Sequence, residues 1–194
     1  MKLLYTKRSP YARKVRVVAL EKGIQLELID EDLAKKSKQL LEANPLGKVP
    51  TLLLDNGQVV YDSKVITQYI DELNDKVSMI PKSGQARIDV LKWEAFSDDL
   101  VTTGIQVYME KTRHPNDFHA QFISNGEAAI NKSYQYIETH LNELKEFSLA
   151  PVAVASAIGY IHFRLPHLKV QGKLAQWFEE ISKRPSMAQT IPTM

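Results

Sequence analysis
Apolar residues in the first third of this chain fall in short runs separated by turn-forming residues. Residues 2–5, 26–29, 51–54 and 59–61 are such runs, and each reads as a strand. Between them the spacing becomes helical. Tyr11, Val15, Val18 and Ala19 follow Ser9-Pro10, a pair suited to the N-cap and first position of a helix, and Gly23 supplies its stop. Residues 32–43 are mostly polar, with Leu33, Leu40 and Leu41, and read as a second helix of weaker pattern. Asn56-Gly57 between two apolar runs predicts a tight hairpin. Val65, Ile66, Tyr69, Ile70 and Leu73 then share one side of a helix opened by Asp62-Ser63. The predicted order is β-α-β-α-β-β-α, its last two strands an antiparallel hairpin.

Past Leu73 no strand pattern remains. Residues 74–84 are polar, contain Pro81 and read as a linker. Ile88, Leu91, Trp93, Phe96, Leu100 and Val101 belong to one long helix ending near Arg113-His114-Pro115. Residues 118–146 carry another, with Ile123, Ala129, Ile130, Tyr134 and Ile137. Residues 149–163 are apolar almost all round, which predicts a buried central helix. A last helix covers 174–181, before Lys183-Arg184-Pro185. The division expected is an α/β unit over 1–74, a linker over 75–84 and an all-helical unit over 85–194.

Composition narrows the function. The 194 residues carry a net charge of +2 and no dense Lys/Arg tract, so no nucleic-acid partner is expected. Lys2, Lys7 and Arg8 stand where a leader needs its apolar centre. The most apolar segment, 149–161, is too short to span a bilayer. No membrane association and a cytoplasmic location are expected. With no cysteine, the chain has no disulfide and no thiolate of its own, so any thiol chemistry must use a thiol brought by a ligand. His114 and His119, like His162 and His167, are five apart, off same-face helical spacing, and no metal site is expected. There is no Gly-rich phosphate loop either.

Three places carry candidate chemistry. Asn44-Pro45-Leu46-Gly47-Lys48-Val49-Pro50 reads as a rigid loop delivering the chain into a strand. Pro50 has no N–H and suits the first residue of a strand, which leaves the backbone of Val49 for a partner outside the sheet. A plain proline-rich turn is the other reading. Asp62-Ser63 opens a helix, where unpaired N–H groups and partial positive charge suit a carboxylate, and Asp62 can accept from an ammonium. A plain N-cap role for one of the two is the other reading. Ser9 sits where a helix begins, so its hydroxyl and nearby N–H groups converge. A free thiol titrates near 8.5, and a helix N-terminus with a hydroxyl donor favours its thiolate. Capping alone is again the plainer role for Ser9.

Together, Ser9-Pro10-Tyr11-Ala12-Arg13-Lys14-Val15, the 44–50 loop, Asp62-Ser63 and the helical second half resemble the cytosolic glutathione S-transferase superfamily, over essentially the whole chain and most nearly its short bacterial members. The resemblance implies a thioredoxin-like domain followed by an all-helical one, glutathione as co-substrate and a homodimer. It implies a cis bond before Pro50, with Val49 pairing with the cysteinyl part of glutathione. The γ-glutamyl group, one carboxylate and one ammonium, fits Asp62 and Ser63. Ser9 stands where the family uses Ser, Tyr or Cys to stabilise the thiolate, and Ser rather than Cys argues against disulfide reduction. Tyr5 and Thr6 are alternative hydroxyls. Lys36 or Gln39, and Lys48, are candidates for the glycine carboxylate, against a solvated charged face. Tyr11, Tyr108, Met109 and Phe118 are candidates for an acceptor pocket, against a place in the core.

The function so implied is glutathione transfer to an electrophilic small molecule, in detoxification. A non-catalytic binding or regulatory protein on the same fold is the alternative, and an isomerase or peroxidase is a further one. One position departs from the family pattern. Pro151 stands where a helix-capping carboxylate is usual after Ser148, so a weakened start is expected for that helix.

Overall fold
A computed structural model describes residues 1–113 and 115–193. His114, weighed above as a metal ligand, lies outside the described residues. The first part runs β1 (Lys2–Tyr5), α1 (Pro10–Glu21), β2 (Glu27–Asp30), α2 (Lys38–Ala43), β3 (Thr51–Leu53), β4 (Val59–Val60) and α3 (Ser63–Glu72). The sheet order is β2-β1-β3-β4. β1 pairs parallel with β2, so α1 serves as the crossover, and antiparallel with β3. β3 and β4 form the hairpin, with Leu52 opposite Val60, and Gly57 takes a positive φ of 86° in its turn.

Leu3, Tyr5 and Leu52 of the sheet pack with Val15 and Val18 of α1 and Ile66 and Ile70 of α3 in one core. The helix expected over 32–43 forms only from Lys38. Short polar side chains take the preceding backbone instead. Asp32 accepts from the Ala34 N–H, and Glu31 accepts from the Ser37 hydroxyl at 2.7 Å. Ser37 then caps the shortened helix through the Leu40 N–H.

The rest is helical: α4 (Gly84–Arg113), α5 (Ala120–Thr139), a 3₁₀ turn (Leu141–Leu144), α6 (Leu149–Arg164), α7 (Gly172–Ser182) and α8 (Pro185–Ala188). The helix expected to reach 146 stops at Thr139. There Thr139 Oγ1 donates to the Gln135 and Tyr136 carbonyls, which draws on the last turn's own acceptors. α8 was not anticipated; Pro185 starts it. Among the described residues no helix is long and apolar enough to cross a membrane.

α6 is the central element. Leu149, Val152 and Ala155 belong to the core under α1. Ala150, Val154, Ala157 and Ile158 belong to a second core with Trp93, Leu100, Ile130 and Ile137. Its start has no side-chain cap from Ser148; instead the Leu149 N–H donates to the Met79 carbonyl at 2.8 Å. The 75–84 segment is thereby pinned rather than loose. Asp71 accepts from the N–H groups of Met79 and Ile80 at 2.8 and 3.0 Å and pairs with the buried Lys22 at 3.2 Å. Arg13, also buried, donates to the Met187 carbonyl and passes over Gly159, where a Cβ would collide with its guanidinium. Burial lowers the Arg13 pKa to about 10.

Candidate functional site
The end of β1, the start of α1, the 44–50 loop, the start of α3 and one face each of α4 and α6 enclose a cleft of about 790 Å³. Ser9 is the N-cap of α1 and its Oγ accepts from the Ala12 N–H at 3.1 Å. Because the oxygen acts there as acceptor, the hydroxyl proton remains available to a ligand in the cleft. The capping and ligand roles proposed for Ser9 are therefore compatible.

The 44–50 loop is built around Asn44, which is buried. Its Nδ2 donates to the Lys48 carbonyl and Thr51 Oγ1, both at 3.1 Å, and its Oδ1 accepts from the Leu46 N–H. Gly47, with φ at 56°, closes the turn onto the Asn44 carbonyl. The Val49–Pro50 peptide is cis, as is Tyr61–Asp62. The β1–β3 ladder ends at Thr51, and the Val49 backbone makes no hydrogen bond among the described residues. Val49 itself lines the cleft.

Asp62 is the N-cap of α3 and accepts from the Lys64 N–H at 3.0 Å. Ser63 is buried in the first turn at the cleft, and its hydroxyl has no partner among the described residues. A helix N-terminus with a spare hydroxyl is suited to a carboxylate.

Below these groups lies a buried ion cluster. Lys14 Nζ is 2.8 Å from Glu94 Oε1 and 2.8 Å from both Asp98 oxygens. Thr67 donates to Glu94 at 3.2 Å, and Lys64 approaches Asp98 at 3.7 Å. Burial pushes the Glu94 carboxyl up, and Lys14 pulls it back. The cluster ties α1 and α3 to α4 directly under the cleft.

Lys36 and Lys48 also line the cleft, as does Tyr11. Lys36 comes from the turn before α2, not from a helix. Gln39, Tyr108, Met109 and Phe118 are not on the wall. The α4 stripe facing it is Asp98, Thr102 and Ile105; Tyr108 continues that stripe one turn too far, and its hydroxyl accepts from Arg164 at 3.2 Å. Met109 and Phe118 are exposed elsewhere. Tyr5 is in the core. Residues not anticipated on the wall include Arg8, Lys64, Tyr160 and Arg164. The i, i+4 spacing of Tyr160 and Arg164 was a signal for one shared face, but not for which face.

Comparison with known proteins points to one family. The profile of the family described as glutathione S-transferase, N-terminal domain, matches residues 8–73. The uncharacterized GST-like protein YibF of Escherichia coli K12 is 32% identical, over 99% of this chain and 98% of that protein. A glutathione S-transferase of Methylobacillus flagellatus KT, solved with glutathione bound, superposes with a TM-score of 0.93 at 34% identity, covering 99% of each chain. A glutathione transferase family member of Pseudomonas fluorescens Pf-5, solved with S-(propanoic acid)-glutathione, superposes with a TM-score of 0.88 at 35% identity, over 100% of this chain and 97% of that one.

Proposed function
The chain belongs to the cytosolic glutathione S-transferase superfamily, and from that premise we propose that it binds glutathione in the cleft and joins the tripeptide's sulfur to an electrophilic small molecule. The observation that carries this reading is convergence. The Ser9 hydroxyl, the unpaired Val49 backbone and the Ser63 hydroxyl at a helix N-terminus border one cavity, although they are far apart in sequence. The glutathione-bound relatives support the choice of ligand.

In this reading Ser63 and the α3 N-terminus hold the γ-glutamyl carboxylate, and Asp62 accepts from its ammonium. Val49 pairs with the cysteinyl backbone, N–H to C=O and C=O to N–H. Lys36 and Lys48 receive the glycine carboxylate. The thiol then lies near the start of α1, where Ser9 donates to sulfur. Lowering the thiol pKa by one unit needs about 1.4 kcal/mol of preference for the thiolate, and one hydrogen bond to a charged group supplies about 1.5–3 kcal/mol. The thiol proton leaves to solvent. Sulfur forms a bond to the electrophilic carbon as that carbon's leaving group departs with its electron pair. We also propose that two copies pair, supported by the exposed Val59, Tyr61 and Val65 at β4 and the start of α3; a dimer mass in sedimentation equilibrium is the corresponding observation.

Titration calorimetry with glutathione tests the site. Wild type should bind, and Ser63→Ala should bind at least tenfold more weakly. No binding by wild type at millimolar glutathione would overturn the reading and turn the search toward protein partners.

A further inference from the structure
The helical wall of the cleft is electrically uneven. At one end the Tyr11 hydroxyl sits 2.9 Å from Thr102 Oγ1. Burial pushes that tyrosine's pKa up, and the charges of Asp98 and Asp99 add to the effect. At the other end stands Tyr160, on α6 one turn before Arg164. Burial raises this pKa too, but here Arg164 and Arg8 pull it down, and no carboxylate contributes. Arg8, Tyr160 and Arg164 all line this cleft.

Arg164 is held ready. Its Nη1 donates to the Tyr108 hydroxyl at 3.2 Å, and its guanidinium lies over the Tyr108 and Phe163 rings, 4.6 and 4.8 Å from their centroids. Arg8 makes no ion pair or hydrogen bond among the described residues, although it borders the cleft. Two acids of the α4 wall are accounted for. Asp98 is bound by Lys14 and Lys64, and Asp99 lies on the Tyr11 side. The apolar surface between the two ends comes from Ile105 and the rings of Tyr11 and Tyr160.

We propose that the electrophile this cleft accepts is a small acid: an apolar, ring-sized body against Tyr11, Ile105 and Tyr160, carrying a carboxylate received by Arg8 and Arg164. The inference rests on the proposed function and narrows its acceptor. A guanidinium pair matches a carboxylate in shape and charge, and Arg164 is ordered before the ligand arrives, which lowers the entropy cost of binding. The reaction leaves the carboxylate untouched. With 4-chloro-3-nitrobenzoate as acceptor, the glutathione thiolate forms a C–S bond at the chlorinated carbon, the C–Cl bond breaks, and chloride leaves with the bonding pair.

The test compares two preformed conjugates by calorimetry: glutathione S-linked to 3-nitrobenzoate, and the same conjugate with a neutral carboxamide in place of the carboxylate. Turnover of the two parent chlorides is measured alongside. Wild type should bind the acid conjugate at least tenfold more tightly than the amide and show the larger kcat/KM with the parent acid. Arg8→Met and Arg164→Met should each erase most of that preference, Arg164→Lys should keep part of it, and affinity for glutathione itself should stay within twofold. Equal affinity of wild type for acid and amide conjugates overturns the inference and leaves the glutathione site standing. Loss of glutathione affinity in the Arg variants overturns it too, because the two cations would then serve the tripeptide's own carboxylates. Failure of wild type to bind glutathione removes the proposed function and this inference together.

Discussion
Ser9 is proposed to serve two demands with one side chain. Its oxygen caps α1, and the residue lines the cleft with its hydroxyl proton left to donate. Ser9→Ala therefore has two separable effects. Loss of the cap should cost about 1 kcal/mol, a fall of roughly 2–4 °C in Tm for a chain this size. Loss of the donor should raise the thiol pKa of bound glutathione by about one unit, read from thiolate absorbance against pH, and slow conjugation tenfold or more at neutral pH. An unshifted thiolate titration would leave Ser9 as a cap only. His162 makes a second residue-scale case. Its Nε2 accepts from the Val170 N–H at 3.1 Å, its ring packs edge-on against Phe178, and burial lowers its pKa to about 4. An unfolded histidine titrates near 6.5. Between these values the unfolded state binds the extra proton. The stability His162 contributes is thus complete above pH 6.5 and is lost as pH falls toward 4. The ring is only half-buried, so solvent screening trims the loss to about 1–2 kcal/mol. Urea unfolding at pH 7.5 and 4.5 should show a drop in wild type that is smaller by about 1 kcal/mol or more in His162→Gln.

At the scale of elements, side-chain anchors decide where helices start and how they are joined. Ser9-Pro10 and Asp62-Ser63 are local signals, and the helices begin where the residues say. Residues 32–37 show the opposite case. They read as the start of a weakly patterned helix over 32–43, but Asp32 and Glu31 accept from the backbone N–H groups of Ala34 and Ser37, and the segment, with Lys36 on the cleft wall, is not helical. The 75–84 segment looked like free linker because it is polar. Asp71, just before it in the chain, and Lys22, remote from it in sequence, tie it down. Asp71→Ala leaves the Lys22 ammonium buried without its carboxylate and orphans two N–H groups. A loss of about 3 kcal/mol is expected by chemical denaturation, well above the ~1 kcal/mol of a typical substitution. A loss under 1 kcal/mol would show that the Asn74 and Val77 carbonyls suffice for Lys22.

For the whole molecule, α6 is shared. Leu149, Val152 and Ala155 complete the core beneath the sheet, while Val154, Ala157 and Ile158 complete the helical core. A division at 75–84 is therefore a proposal about topology, not about independent stability. Calorimetry of the full chain should give one transition with equal calorimetric and van't Hoff enthalpies. A fragment of residues 1–83 should not fold alone, because it lacks the α6 residues and Met187 that its core uses. Two resolved transitions would show that the halves unfold separately. The Lys14–Glu94–Asp98 cluster works to the same end, since separating α1 from α4 would bare three charges at once.

The sequence alone determined what depends on neighbours along the chain: the order of the strands and of the helices from α1 to α7, the Asn-Gly hairpin, the caps of α1 and α3, and Ser9, Val49 and Ser63 as groups with spare hydrogen-bonding capacity. Those signals are local, because propensity and capping act within one turn of the backbone. Only the tertiary structure decided which face of α4 and α6 meets the cleft. It placed Arg8, Tyr160 and Arg164 on the wall of one cleft and left Tyr108 and Met109 off it. It also held the 75–84 segment and buried Lys14 between two carboxylates. Helical periodicity marks a face as apolar or polar but carries no information about its partner. The contacts that choose the partner join residues dozens of positions apart, 84 between Lys14 and Asp98, and exist only once the chain has closed on itself.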